Sequence, residues 1–160
     1  MMAYRVLFVC LGNICRSPMA EAVFRDRIRA AGLADRVEVS SAGTGDWHVG
    51  RPPHEGTRKL LDRHGISYEG MRASQLKRED GEAYDLIVAM DSRNEEDIRS
   101  MIGPGAKAEV IRFLTLAPEL GLEDVPDPYY TGNFDEVYEM VRAGCDRLVG
   151  RIEAKGSNRD

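Results

Sequence analysis

The sequence is poor in the residues and patterns that define several large protein classes. It has three cysteines, Cys10, Cys15 and Cys145, an odd number without framework spacing, which argues against a disulfide-stapled scaffold. Its three histidines, His48, His54 and His64, lack the tight spacing of a metal site, and no metal is expected. No apolar run approaches the ~20 residues that a membrane-spanning helix needs, so no membrane role is expected. The opening "MMAYRVLFVC" runs directly into strand-like residues, without the longer apolar region and cleavage site of a signal peptide, and the expected location is cytoplasmic. Lys and Arg number 22 against 27 Asp and Glu, and a net charge of −5 offers no basic face for nucleic acid or an anionic membrane. Two nucleotide signatures, GxxxxGK followed by Ser or Thr and GxGxxG, are also missing.

What is present is an alternation of strand and helix patterns in a chain the length of one domain, with 160 residues, no internal repeat and no linker. "RVLFVC", Arg5 to Cys10, is nearly continuous in apolarity, as a strand covered on both faces should be. Ser17-Pro18 opens a helix through about Ala31, with proline tolerated in its first turn. Val37 to Ala42, Asp85 to Met90 and Ala108 to Leu114 read as three further strands. Helices are expected from about Pro53 to Gly65, from Ser92 to Ile102 and from about Phe134 to Ala154. Leu116 to Pro128 reads mostly as loop, and about 155–160 as a frayed tail. The expected fold is α/β: a single-domain four-stranded parallel sheet with helices on both faces, spanning 1–160. Ligands in such sheets bind beyond the carboxyl ends of the strands, and Cys10, Ala42 and Met90 each end one.

The stretch "VCLGNICRSP" sits at the first of those ends. Strand, glycine-containing loop and helix form the general plan of a phosphate cradle, in which backbone N–H groups and a helix N-terminus face an anion. Here the loop starts with a thiol, Cys10, and closes with a guanidinium, Arg16. A helix N-terminus and a nearby arginine favour the nucleophilic thiolate. Arginine's planar fork also matches two phosphate oxygens and can stabilise their charge in a transition state. Leu11, Gly12, Asn13, Ile14, Cys15 and Ser17 complete the cradle. Asn13 tolerates the left-handed backbone that a tight loop needs. The Ser17 hydroxyl can donate to the sulfur as it leaves, or cap the helix. Such a site displaces an alcohol or phenol from a phosphate monoester through a phosphocysteine. Phosphate or sulfate is the expected simple ligand, and no cofactor is expected.

The spacing of Cys10, Arg16 and Ser17 is the signature of cysteine-based phosphatases, and "CLGNICRSPMAE" near the start of a small α/β chain resembles the low-molecular-weight protein tyrosine phosphatases. The resemblance continues through "SSAGTGDW", "AMD" and "DPYY". It implies hydrolysis of phosphotyrosine in proteins or peptides, with Asp127 as the acid that protonates the leaving phenolate and the base that then activates water. Ser41 would support Asn13 from the second strand. Trp47, Tyr129 and Tyr130 would wall a pocket deep enough for a phenyl ring. Asp91 reads equally as an orienter of Arg16 and as a helix cap. In the family Tyr129 and Tyr130 can be phosphorylated; Cys10 and Cys15 could form a reversible disulfide that protects the nucleophile. One departure stands out: where many relatives carry a histidine that joins the hydrogen bonds around Asn13, this chain has Met71.

Three rival readings share parts of this pattern. Arsenate reductases have the same cradle but pass oxidation to a later cysteine pair, and here only Cys145, on an apolar helical stripe, follows. Protein-arginine phosphatases resemble this loop with threonine in place of Ile14. A binding module for phosphotyrosine would have no need of a thiol beneath the phosphate.

Overall fold

The computed structural model describes residues 3–157. The first strand, β1 (Tyr4–Cys10), forms where the sequence is most uniformly apolar, and every residue from Val6 to Cys10 is buried. β2 (Val37–Gly43) pairs with it on one side and β3 (Leu86–Ala89) on the other, and β4 (Glu109–Arg112) adds to β3. All pairings are parallel, in the order β2-β1-β3-β4.

Alternation along the strands sends side chains to two cores. Val6, Phe8, Leu86 and Val88 join one cluster with α1 (Arg16–Ala30), α2 (Glu55–Arg63) and α6 (Phe134–Ser157), through residues such as Phe24, Leu60 and Val141. Leu7, Val9, Ile87 and Ala89 join the other, with Ile98 and Ile102 of α4 (Ser92–Ile102). The sheet is therefore covered on both faces. Each fully buried Leu, Ile or Phe in these layers contributes about 1.5–3 kcal/mol relative to leaving it exposed.

The boundaries carry several corrections. The first helix begins at Arg16 with Cys15 at its N-cap position and no side-chain cap, so Ser17 lies inside the first turn and does not cap it. α2 begins at Glu55, where His54 Nδ1 accepts from the Gly56 N–H and ends the extended Pro-Pro stretch. Short helices occur at α3 (Asp80–Ala83) and α5 (Pro128–Thr131), and 3₁₀ turns at Phe113–Leu116 and Pro118–Leu120; the strand expected through Leu114 ends at Arg112, and the second turn lies in the stretch expected mostly as loop. One-turn pieces lack the length for a periodic signal. In the tail expected to fray, Lys155, Gly156 and Ser157 continue α6, and residues 158–160 lie outside the described residues.

Strand order decides where a site can form. β1 has its helix-linked neighbours on opposite sides, so the connections leaving β1 and β3 diverge and open a crevice at their carboxyl ends. Cys10 ends β1, and Met90 and Asp91 follow β3.

Candidate active site

Between β1 and α1 the chain turns through residues 11–15, and its tightest point is Asn13, at φ 56°, the one non-glycine residue with positive φ among those described. The carbonyls of this loop are tied outward. Cys10 O accepts from Thr44 N at 2.9 Å, Leu11 O from Gly45 N at 2.9 Å, and Ile14 O from His54 N at 2.7 Å. Cys15 O accepts from Thr57 Oγ1 at 3.2 Å. A trans peptide points the carbonyl of one residue and the N–H of the next to opposite sides. The N–H groups of Leu11, Gly12, Cys15 and Arg16 are thereby turned away from those anchors.

Gly43, paired in register with Cys10, lets β2 approach this closely. A Cβ there would lie 2.8 Å from Leu11 O and 3.1 Å from the Gly12 carbonyl carbon, both backbone atoms that cannot swing aside.

Arg16 is 2% exposed, and three groups on two segments far from it in sequence hold it. Its Nη1 donates to Asp91 Oδ2 at 2.6 Å and to Val125 O at 2.9 Å, and its Nη2 lies 3.5 Å from Asp127 Oδ2. Burial works against the guanidinium charge, but Cys10, Asp91 and Asp127 outweigh it and raise its pKa. Arg16 Nε is buried with no acceptor among the described residues. Asp91 does both things the sequence left open, because its second oxygen, Oδ1, accepts from Asn94 N at 2.7 Å and caps α4.

Asp127 N-caps α5, accepting from Tyr129 N at 3.1 Å. It lines a cavity of about 190 Å³ together with Cys10, Leu11, Gly12, Ile14, Cys15, Trp47, Tyr129 and Tyr130. The three aromatic residues are 68%, 52% and 76% exposed, so they stand at the rim. Tyr129 and Tyr130 meet edge to face with centroids 5.2 Å apart. His48 also lines the cavity, which sequence reasoning missed; its place directly after Trp47 in the glycine-rich loop was the available signal.

A polar network braces the loop from behind. Asn13 Nδ2 donates to Ser17 Oγ at 2.8 Å and to Ser41 Oγ at 2.9 Å, and Ser17 Oγ lies 3.0 Å from Cys10 Sγ. Asn13 Oδ1 accepts from Ser74 N at 2.9 Å. The structure thus closes this network without a histidine at Met71.

Burial pushes the Cys15 thiol up to about 12, and Cys10 and Asp127 add to the rise while Arg16 opposes it. Cys145 is fully buried in the core, where desolvation raises its pKa and its Sγ meets Ala20 O at 3.7 Å. Among the described residues no three His, Cys, Asp or Glu side chains group as a metal site, and no helix is long and apolar enough to cross a membrane.

Residues 5–158 match the pattern of the family described as low molecular weight phosphotyrosine protein phosphatase. The chain is 51% identical over 148 residues to the low molecular weight protein-tyrosine-phosphatase YfkJ of Bacillus subtilis, covering 92% of this chain and 95% of that one. The crystal structure of YfkJ superposes with a TM-score of 0.94, covering 97% of this chain and 98% of that chain at 48% identity. The low molecular weight protein-tyrosine-phosphatase PtpA of Staphylococcus aureus is 48% identical over 147 residues, with 92% of each chain covered. A Drosophila arginine phosphatase superposes with a TM-score of 0.85 at 30% identity, covering 92% of this chain and 96% of that one. Over nearly its whole length, from the first strand to the last helix, the chain belongs to the low molecular weight protein-tyrosine-phosphatase family of hydrolases.

Proposed function

We propose that this chain hydrolyses phosphotyrosine in proteins or peptides through a phosphocysteine on Cys10, as one catalytic domain over 1–160. The observation that carries the reading is the buried, partnerless Arg16 Nε beside a cradle of inward-turned N–H groups. A buried charged donor without an acceptor is costly, and a phosphoryl oxygen supplies what it lacks. Phosphate and sulfate would fill the same cradle.

In the first step the Cys10 thiolate attacks phosphorus, and the bond from phosphorus to the phenolic oxygen breaks. Asp127 transfers its proton to that oxygen, so a neutral phenol leaves. Arg16 and the N–H groups of Leu11, Gly12, Asn13, Ile14 and Cys15 hold the equatorial oxygens as charge develops. In the second step water attacks the phosphocysteine, Asp127 takes a proton from the water, and the sulfur leaves as thiolate with the Ser17 hydroxyl donating to it. Asp91 keeps the Arg16 fork in plane, and Ser41 keeps Asn13 in its left-handed turn. Trp47, Tyr129 and Tyr130 wall the approach, favouring an aryl phosphate that reaches the cradle over a short phosphoserine. No step calls for a metal. A free catalytic thiol calls for a reducing compartment, and a cytoplasmic location is part of this reading.

Ile14 separates phosphotyrosine from phosphoarginine. It is buried, lines the cavity and packs with Cys15 and Ala73, presenting no hydroxyl to a phosphoramidate. The test is phosphate release, in EDTA and reducing agent, from matched phosphotyrosine, phosphoserine and phosphoarginine peptides. Release from phosphotyrosine alone, lost in Cys10→Ser, is expected. Preference for phosphoarginine overturns the specificity, and activity surviving in Cys10→Ser overturns the mechanism.

A further inference from the structure

The sheet is left unfinished along the outer edge of β2. The even-numbered residues of that strand turn their backbone groups to β1; Thr44 N, which continues the series, donates to Cys10 O. The odd-numbered residues therefore turn theirs outward. At the two ends of the strand these outward groups are met. Val37 N donates to Leu33 O at 3.1 Å, Gly43 N donates to Ser74 O, and Gly43 O accepts from Leu76 N, the last two at 2.8 Å. Between the ends the carbonyls are taken as well, Val39 O by Arg25 Nη2 at 3.1 Å and Ser41 O by Ser74 Oγ at 3.2 Å. The N–H groups of Val39 and Ser41 are left over, and neither has a partner among the described residues.

A trough runs along this edge. Two depressions, of about 690 and 380 Å³, adjoin there and share Arg25, Arg29 and Ser40. The larger reaches Ser41, Arg72 and Lys77, and the smaller reaches Val37 and Val39. Neither shares a lining residue with the Cys10 cavity. The charges in the trough do not balance locally. Glu21 is paired with Arg25, Asp26 with Arg27 and Glu38 with Arg5, and Asp80 Oδ2 accepts from Lys77 N at 2.8 Å. The exposed side chains of Arg29, Arg72 and Lys77 have no acidic partner among the described residues, against one unpaired carboxylate, Glu69.

We propose that this trough docks an extended acidic segment of a partner protein. What the edge still offers is donors, two backbone N–H groups and three cations, so its occupant must be rich in acceptors. Val39 and Ser41 are alternate residues of one strand, so their N–H groups stand about 7 Å apart, the spacing of alternate carbonyls in an extended chain. Carboxylates on that chain would meet Arg29, Arg72 and Lys77. A basic segment would leave all five groups unmet and bring like charges together. A full added strand is not expected, because Arg25 and Ser74 already hold the carbonyls it would need. The chain as a whole carries a net charge of −5 and repels acidic peptides, so attraction is confined to this trough and to the anion cradle at Cys10. The docking does not depend on the chemistry at Cys10.

The experiment titrates the protein into a short fluorescent peptide of alternating Glu and Thr, with its Lys and Thr counterpart as control. Inorganic phosphate is kept in excess throughout, so that the cradle at Cys10 is filled. Anisotropy is expected to show binding of the acidic peptide alone, weakened by added salt and by at least about tenfold in the double variant Arg29→Glu, Arg72→Glu. Lys59→Glu, on α2 and outside the trough, should bind as wild type does. Hydrogen exchange at the Val39 and Ser41 amides should slow when the acidic peptide is bound. Equal binding of both peptides, binding abolished by phosphate, or unchanged affinity in the double variant would overturn the proposal. So would binding that leaves both amides exchanging as before. A dimer in sedimentation that the double variant disperses would give the trough to a second copy of this chain and equally overturn it. Should the double variant fail to fold, Arg29→Gln and Arg72→Gln, each alone, are expected to weaken binding in the same direction.

Discussion

The floor and the rim of the Cys10 cavity are built on opposite terms. At the floor, Cys10, Asn13, Arg16 and Ser17 are each 3% exposed or less, and the polar ones are held by several partners. At the rim, Trp47, Tyr129 and Tyr130 are all more than half exposed, and Tyr129 and Tyr130 ride on a helix of four residues, α5. Charge that develops on a phosphoryl group needs donors fixed in advance, because reorganisation at the moment of reaction costs rate. An aryl ring needs only a wall, and ring contacts contribute ~0.5–1.5 kcal/mol beyond area burial. Changes at the floor should therefore be catastrophic and specific to kcat, and changes at the rim mild and visible in KM.

The largest effect that would sharpen this contrast is at Asp127, which belongs to both levels. Asp127→Ala should lower kcat by ~10²–10⁴ on phenyl phosphates with poor leaving groups, and far less where the leaving group needs no proton. A leaving-group series measured in both proteins checks it; equal loss across the series would remove Asp127 from the acid role. Next comes Arg16→Lys, which keeps a charge but loses the fork to Asp91 and the phosphoryl oxygens, with kcat expected to fall by ~10²–10³. Steady-state kinetics with a melting curve separates that loss from unfolding.

Gly43→Ala tests whether the floor depends on β2. Its methyl would press on Leu11 O and the Gly12 carbonyl carbon, so a stability loss of about 1–3 kcal/mol is expected together with reduced kcat. Chemical denaturation and turnover on the same sample read both, and an unaffected kcat would mean that the loop tolerates displacement.

The smallest kinetic effect should be at the rim: Trp47→Ala is expected to raise KM by about two- to tenfold with kcat nearly unchanged. A matching fall in kcat would show that the rim also aligns the reacting atoms. A last and slighter signature comes from Cys15. Its thiol rises from an ordinary 9.0 to about 12 in the fold, so between those values the unfolded chain loses a proton that the folded one keeps. Cys15 therefore contributes stability that is fully present below pH 9 and falls as pH rises toward 12. Alkaline denaturation of Cys15→Ala should show a shallower decline than wild type, and parallel curves would refute the assignment.

Legibility followed the distance over which each feature is determined. The cradle was readable because thiol, glycine, asparagine, arginine and serine sit within one turn between a strand and a helix, and their chemistry is local. Asp91 was half readable: its capping of α4 is local, whereas its bond to Arg16 depends on β3 lying next to β1. Of the two readings of Ser17, the helix cap fails because the helix already begins at Arg16, after a loop held by residues 44–57.

By itself the sequence determined the alternation of strand and helix, the thiol-to-guanidinium loop and the family, because each is written in neighbouring residues and their periodicity. Only the tertiary structure decided that Asp91, Val125 and Asp127 close on one guanidinium, and that Ser41 and Ser74 close on Asn13. Those contacts join segments up to 111 residues apart, and what brings them together is the parallel order of the sheet, which no local stretch encodes.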